Sequence, residues 1–270
     1  MPKISKKMTV KDIMDCITDI APLYWQEEYD NAGIQVGALN AEVRKALIAL
    51  DVTEELVDEA IDKQCDLIVS HHPLIFHGLK HLTPETYIER TVMKAIKHDI
   101  AIISMHTNLD NSYLGVSRVL ADRLGLRDLR LLKPDLMDPD CCGAGMVGEL
   151  ASPMEEADFL NLVADTVGSP CLRHSALTGK QIKRVALCGG SGTPFLSDAL
   201  KSQVDAYLTA DIKYHDFFAP DGILLVDGGH FETEQFTKQL IKELIQKKIP
   251  TFAAEIAVTN TNAVHYFCKK

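Results

Sequence analysis

The sequence predicts an α/β protein in two halves with mainly parallel sheets. Three observations predict it. Short apolar runs at 66–70, 100–104 and 223–227 have the length and Ile/Val/Leu content of strands buried on both faces. Segments of helical period stand between such runs, giving a β-α-β-α-β order in the first half and a similar rhythm in the second. Each of the three runs is followed closely by histidine and carboxylate residues, and in open α/β sheets ligands bind beyond the carboxyl ends of the strands.

In chain order, residues 9–20 read as a helix with Val10, Ile13, Met14 and Ile17 on one face and Thr9 placed to cap it. The 28–37 stretch, with turn formers and two glycines, is a loop leading into a short strand. Strand 45–51, helix 54–63, strand 66–70, helix 86–98 and strand 100–104 follow, then a helix over 112–124 that ends at Gly125, a residue suited to a left-handed cap. Residues 127–142, rich in Asp, Pro and Lys and broken by Pro134 and Pro139, read as the crossing, so the halves are placed at 1–130 and 131–270 with the boundary near Arg130. Beyond it come strand 145–150, helix 154–167, strand 184–188, helix 194–203, strands 206–210 and 223–227, and a long helix over 231–247. No residue-level repeat links the halves.

At 270 residues, 46% hydrophobic and 24% charged, the composition is that of a folded globular chain. A net charge of −10 disfavours a broad nucleic-acid surface, because phosphate binding relies on clustered Lys and Arg. Seven cysteines, an odd count without Cys-x-x-Cys spacing, fit buried thiols in a reducing compartment, and the cytoplasm is the expected location. No apolar stretch approaches the ~20 residues of a membrane span, and the N-terminal residues lack the apolar region of a secretory signal.

The candidate ligands are His71, His72, Asp110, His230 and Glu234. Three imidazoles and two carboxylates without thiolates suit Zn, Fe, Mn, Co or Ni in an open, catalytic type of site. Five ligands exceed what one tetrahedral ion needs and a Glu can bridge, which points to two ions per chain. His71 and His72 precede Pro73, which keeps His72 extended, so the adjacent side chains diverge and can approach different ions. Taken alone, the pair also fits a polar loop of hydrogen-bonded histidines. His106 and Asp110 follow strand 100–104; Asp110 reads as a ligand and His106 as a nearby orienting group or proton carrier, with an Asx turn as the plainer explanation. His230 and Glu234 sit at i and i+4 after Gly228 and Gly229, a spacing that also suits an ordinary helix start with acidic residues answering the dipole. His215, four residues after Asp211, is a candidate general acid or base, and equally fits a partly exposed histidine in an ordinary helix. The Gly189, Gly190, Ser191, Gly192 turn could cradle an anion but lacks the Gly-Lys-Ser/Thr of a P-loop, and Cys188 reads as a core thiol.

Together, Ser70-His-His-Pro, His106-Thr-Asn-Leu-Asp, the 189–192 turn and the run from Gly229 to Glu234 resemble the Nif-three-like family, also called GTP cyclohydrolase I type 2 homologs. Tyr29-Asp-Asn-Ala-Gly and Lys213-Tyr-His extend the resemblance over nearly the whole chain. The resemblance implies two intertwined α/β halves, a two-metal centre between them held by His71, His72, Asp110, His230 and a bridging Glu234, and a ring-shaped homohexamer. The chain is similar to the short members, which lack an inserted domain. It departs at Thr209-Ala-Asp211, where relatives often carry Thr-Gly-Glu, and at Tyr29, where Trp is common. The expected function is a dinuclear metal-dependent hydrolase acting on a nucleotide-like or heterocyclic small molecule. A non-catalytic metal-binding adaptor is the alternative.

Overall fold

The computed structural model describes residues 7–218 and 222–267. The chain divides into two compact units, Met1–Leu109 with Thr237–Asn262 and Asp110–Phe236 with Ala263–Lys270, so each is made of two chain segments. No described helix is long and apolar enough to cross a membrane.

The first unit is a five-stranded sheet in the order Ala253–Ile256, Lys45–Ala49, Leu67–Ser70, Ala101–Ser104, Gly33–Val36. All neighbours are parallel except Gly33–Val36, which runs antiparallel at the edge. Strand residues alternate between the two faces. Leu47, Ala49, Ile68 and Ile102 therefore share a face, and they pack with Leu56, Val57 and Ala60 of helix Glu54–Asp62 and with Val92 and Ala95 of helix Tyr87–Lys97. The opposite face, with Ala46, Ile48, Val69 and Ile103, is equally buried, which explains why these strands read as unbroken apolar runs. Each fully buried Ile or Leu contributes about 1.5–3 kcal/mol. Helices Val10–Thr18 and Thr237–Lys248 pack on one another, and the second also packs on strands Lys45–Ala49 and Ala253–Ile256.

The helix starts follow from side-chain chemistry. Thr9 and Thr86 form capping boxes with Asp12 and Glu89, and Thr53 accepts from the Leu56 amide, so amides with no partner inside the helix are satisfied.

The second unit is a six-stranded mixed sheet in the order Arg127–Pro134, Gly143–Met154, Ile182–Leu187, Ala206–Thr209, Leu224–Asp227, Arg173–His174. Only Ile182–Leu187, Ala206–Thr209 and Leu224–Asp227 pair in parallel; the outer pairings are antiparallel. Val185, Leu187, Leu208 and Val226 face helices Glu156–Val167 and Val116–Arg123. Ala186, Tyr207 and Leu225 turn the other way, toward Ala199 and Ile212.

The division falls between Leu109 and Asp110 rather than near Arg130, and Asp110 is grouped with the second unit instead of with His71 and His72. Strand pairing is the reason. Arg127–Pro134, read from sequence as a crossing, pairs antiparallel with Gly143–Met154. The Gly143 amide also donates to the Asn111 carbonyl at 2.7 Å, and Ser112 bridges Cys142, which ties the residues after Asp110 to this sheet. The helix expected over 112–124 accordingly begins only at Val116, and a separate turn of helix spans Thr107–Asp110. The long helix expected over 231–247 is two helices, His230–Glu234 and Thr237–Lys248. At the break, the Gln235 side chain donates to the Val167 carbonyl at 2.8 Å and Arg123 stacks 3.9 Å from the Phe236 ring centre, both inside the second unit, and Thr237 starts the return to the first.

Glu59 fastens the returning segment. Its buried carboxylate accepts from the Val258 amide at 2.9 Å and the Thr259 amide at 2.8 Å, and lies 2.8 Å from the Lys63 ammonium. Burial alone would raise its pKa, but the bonds from Lys63, Thr259 and Val258 prevail and bring it from the ordinary 4.5 to about 2. Because the folded-state value is the lower one, the stabilisation is complete above pH 4.5, declines as the pH falls and is gone below about 2. In urea unfolding, Glu59→Gln is expected to be less stable than wild type at neutral pH and to lose less stability on acidification through that window. Equal acid-side slopes for the two proteins would contradict the assignment.

Candidate metal centre

In the first unit, strand ends set the backbone of the His71 and His72 pair. The amides of His71 and His72 donate to the Leu50 carbonyl at 3.1 and 2.9 Å, and Ser70 Oγ donates to the His72 carbonyl at 2.8 Å. Ser70 Oγ lies 2.7 Å from Ser104 Oγ, its register partner on the next strand. Every residue of both strands is buried, so these hydroxyls satisfy one another where no water competes.

The imidazoles are oriented by oxygen atoms on one nitrogen each. His71 Nδ1 is 2.8 Å from the Met105 carbonyl, His72 Nδ1 is 2.7 Å from Asp51 Oδ1, and His106 Nδ1 is 2.7 Å from Asp30 Oδ1. A carbonyl or carboxylate oxygen only accepts, so in neutral histidine each Nδ1 carries the hydrogen and each lone pair sits on Nε2. One ligand nitrogen from each of His71, His72 and His106 lies within 4.8 Å of the others. His106 thus stands beside His71 and His72 in a group that could hold a metal ion.

Asp30 and Asp51, which hold His106 and His72, are not among the candidates the sequence nominates. Asp30 sits in the 28–37 loop; its buried carboxylate accepts from the Thr107 amide at 3.0 Å and from the Thr107 hydroxyl. Burial would raise its pKa, but the bonds from His106 and Thr107 outweigh that and bring it to about 2. Asp51 follows strand Lys45–Ala49 and is lowered in the same way, burial being outweighed by the bond from His72. Asp51 ends the apolar run 46–50, and that position is the signal the sequence offers for it; Asp30, between Tyr29 and Asn31, carries none.

The second unit brings together Asp110, His230 and Glu234. Carboxylate oxygens of Asp110 and Glu234 lie within 4.8 Å of each other. His230 opens helix His230–Glu234, and its Nε2 is 3.1 Å from Glu234 Oε2, the i, i+4 contact that the spacing predicts. Its Nδ1 is 2.7 Å from Asp211 Oδ2. Burial would lower the His230 pKa, yet the bonds to Asp211 and Glu234 prevail and raise it above the ordinary range. Two carboxylates around one imidazole favour a cation at this position, and a divalent ion can supply that charge.

The glycine turn packs on this carboxylate. Gly190 has φ +61°, and a Cβ there would lie 2.0 Å from Glu234 Oε1, so only glycine fits. The Gly190 amide donates to Thr233 Oγ1 at 3.0 Å, which accounts for the turn as a scaffold for the ligand helix. Cys188, just before it, is a buried thiol pushed up to about 12 by burial and then by the charges of Asp110 and Glu234, as a core thiol and unlike a nucleophile. His215 is exposed in the turn Tyr214–Phe218, its ring 5.2 Å from Tyr214 and 6.4 Å from Phe218. Among the described residues, no ligand-grade group includes it.

The donor set fits a borderline divalent metal: imidazoles presented through Nε2 and carboxylates in a buried setting.

The chain matches the family described as Duf34/NIF3 (NGG1p interacting factor 3) over residues 8–264. A Clostridium perfringens protein named GTP cyclohydrolase 1 type 2 homolog is 34% identical over 246 residues, covering 90% of this chain and 93% of that protein. A solved Staphylococcus aureus structure, hypothetical protein SA1388, superposes with a TM-score of 0.90 at 28% identity, covering 97% of this chain and all (100%) of that one. A Bacillus cereus protein related to NIF3 gives a TM-score of 0.91 at 24% identity over 97% of this chain and 100% of its own, which speaks to the fold. The sequence resemblance, the fold and the matched length lead to one assignment: the chain belongs to the Duf34/NIF3 family.

Proposed function

We propose that the protein is a divalent-metal-dependent hydrolase acting on a nucleotide or related heterocycle, with a pair of ions held by His71, His72, Asp110, His230 and Glu234. One observation carries the reading: Met105, Asp51 and Asp30 each hold an Nδ1, so three clustered imidazoles carry their lone pairs on Nε2. Such orientation from behind is what metal-ligating histidines require. Bound divalent ions supply a Lewis acid and lower the pKa of water toward neutrality, which suits opening of a C–N ring bond or a phosphoester.

The chain's own groups supply the rest. Asp30 behind His106 forms a carboxylate–imidazole pair able to take up a proton at Nε2 and return it to a leaving group. Asp211 orients His230 as Asp51 orients His72. His215, exposed, is a second candidate for proton transfer once substrate is bound. The name GTP cyclohydrolase 1 type 2 homolog, borne by relatives, supports a purine nucleotide as the first substrate class to screen.

A homohexamer and a reducing, cytoplasmic setting complete the proposal. They are supported by the exposed Tyr87, Met93 and Ile96 on one helix and by the buried Cys16, Cys65, Cys142 and Cys188.

Two measurements test the reading. Protein purified without added metal or chelator is expected to carry about two ions per chain by mass spectrometry, and Glu234→Ala to carry far less. No metal in either would leave the non-catalytic adaptor reading in front. Asp30→Asn is expected to slow hydrolysis about 10- to 100-fold with metal content unchanged. Loss of metal in that variant would mark His106 as a ligand instead of a proton carrier.

A further inference from the structure

Strand Ala253–Ile256 forms one edge of the first unit's sheet, and the chain beyond it runs back along neighbouring elements of the same unit. The Ala257 amide donates to the Ile48 carbonyl at 2.8 Å, and the next two amides, of Val258 and Thr259, are taken by the Glu59 carboxylate at 2.9 and 2.8 Å. Asn260 then turns the chain, its Oδ1 accepting from the Asn262 amide at 3.1 Å. This anchoring delivers the Thr261 hydroxyl to Asp51, where it donates to Oδ2 at 2.9 Å. The other oxygen of the same carboxylate, Oδ1, holds His72 Nδ1 at 2.7 Å.

A carboxylate with one hydrogen bond can still rotate about its terminal torsion, which has a broad profile. One with a different donor on each oxygen is fixed in its plane. Thr261 and His72 are those two donors on Asp51, and the plane they set decides whether Oδ1 points along the His72 Nδ1–H bond. If Asp51 turns away, His72 is no longer held to the tautomer that leaves the lone pair on Nε2.

We propose that Thr261 is a positioning residue for His72: through Asp51 it holds the imidazole in the Nδ1–H tautomer, and the Glu59-anchored segment exists in part to present it. The inference rests on reading His72 as a metal ligand. It assigns that task to a residue 210 positions from Asp51 in the chain and to a segment that lies outside every ligand motif.

The test uses the full-length chain with Thr261→Val, which removes the donor at nearly constant volume, and Thr261→Ser, which restores it. Nitrogen-15 spectra of the imidazoles in the metal-free protein, at a pH where His72 is neutral, report its tautomer without reference to any activity. Zinc alone, in competition with a chelator, reports affinity. Thr261→Val is expected to show a mixed His72 tautomer and about 10-fold weaker zinc binding, with Thr261→Ser close to wild type in both. A His72 spectrum unchanged in Thr261→Val, or equal losses in the Val and Ser variants, overturns the proposal. Should Thr261→Val fail to fold, Thr261→Ala is read by the same spectra. The tautomer measurement decides the inference even if no hydrolytic activity is ever found, so failure here and failure of the hydrolase reading are distinguishable.

Discussion

The histidines of the two units share one recurring interaction, an oxygen acceptor seated on the Nδ1 of each imidazole. Met105 provides it for His71, Asp51 for His72, Asp30 for His106 and Asp211 for His230. An imidazole without such a partner samples two tautomers and several ring orientations, and a ligand that must be selected from that ensemble binds metal more weakly. Here the selection is built in before any ion arrives. The cost is the burial of the Asp30 and Asp51 carboxylates, which the Thr107 bonds to Asp30 and the Thr261 bond to Asp51 offset.

The fold serves this arrangement by ending its strands in the right places. Ser70 and Ser104 are register partners at the carboxyl ends of adjacent parallel strands, so the residues that follow them leave the sheet side by side. Thr209 and Asp227 stand in the same relation in the second unit, ahead of Asp211 and His230. That rule for open α/β sheets was enough to nominate His71, His72, Asp110, His230 and Glu234 from sequence.

What was legible in the sequence was whatever is local or periodic. The capped helices at Thr9, Thr53 and Thr86 and the buried strands Lys45–Ala49, Leu67–Ser70 and Ala101–Ser104 follow from residue types within a short window. Long-range pairing was not legible. Nothing near Arg127–Pro134 announces that its partner is Gly143–Met154, and its Pro and Asp content suggested a linker instead. The helix break after Glu234 likewise has no local breaker; it is fixed by Gln235 on Val167 and by Arg123 on Phe236. The orienting carboxylates were hidden for the same reason, since Asp30 meets its histidine 76 residues away and Asp51 meets His72 from 21 residues away.

The most direct test of the central claim is anomalous X-ray scattering from crystals of the protein as purified, recorded across the absorption edge of whatever metal it carries. A pair of peaks is expected in each chain, ligated through Nε2 of His71, His72 and His230 and through the carboxylates of Asp110 and Glu234. Peaks ligated by other residues, or histidines bound through Nδ1 with their Asp partners displaced, would contradict it.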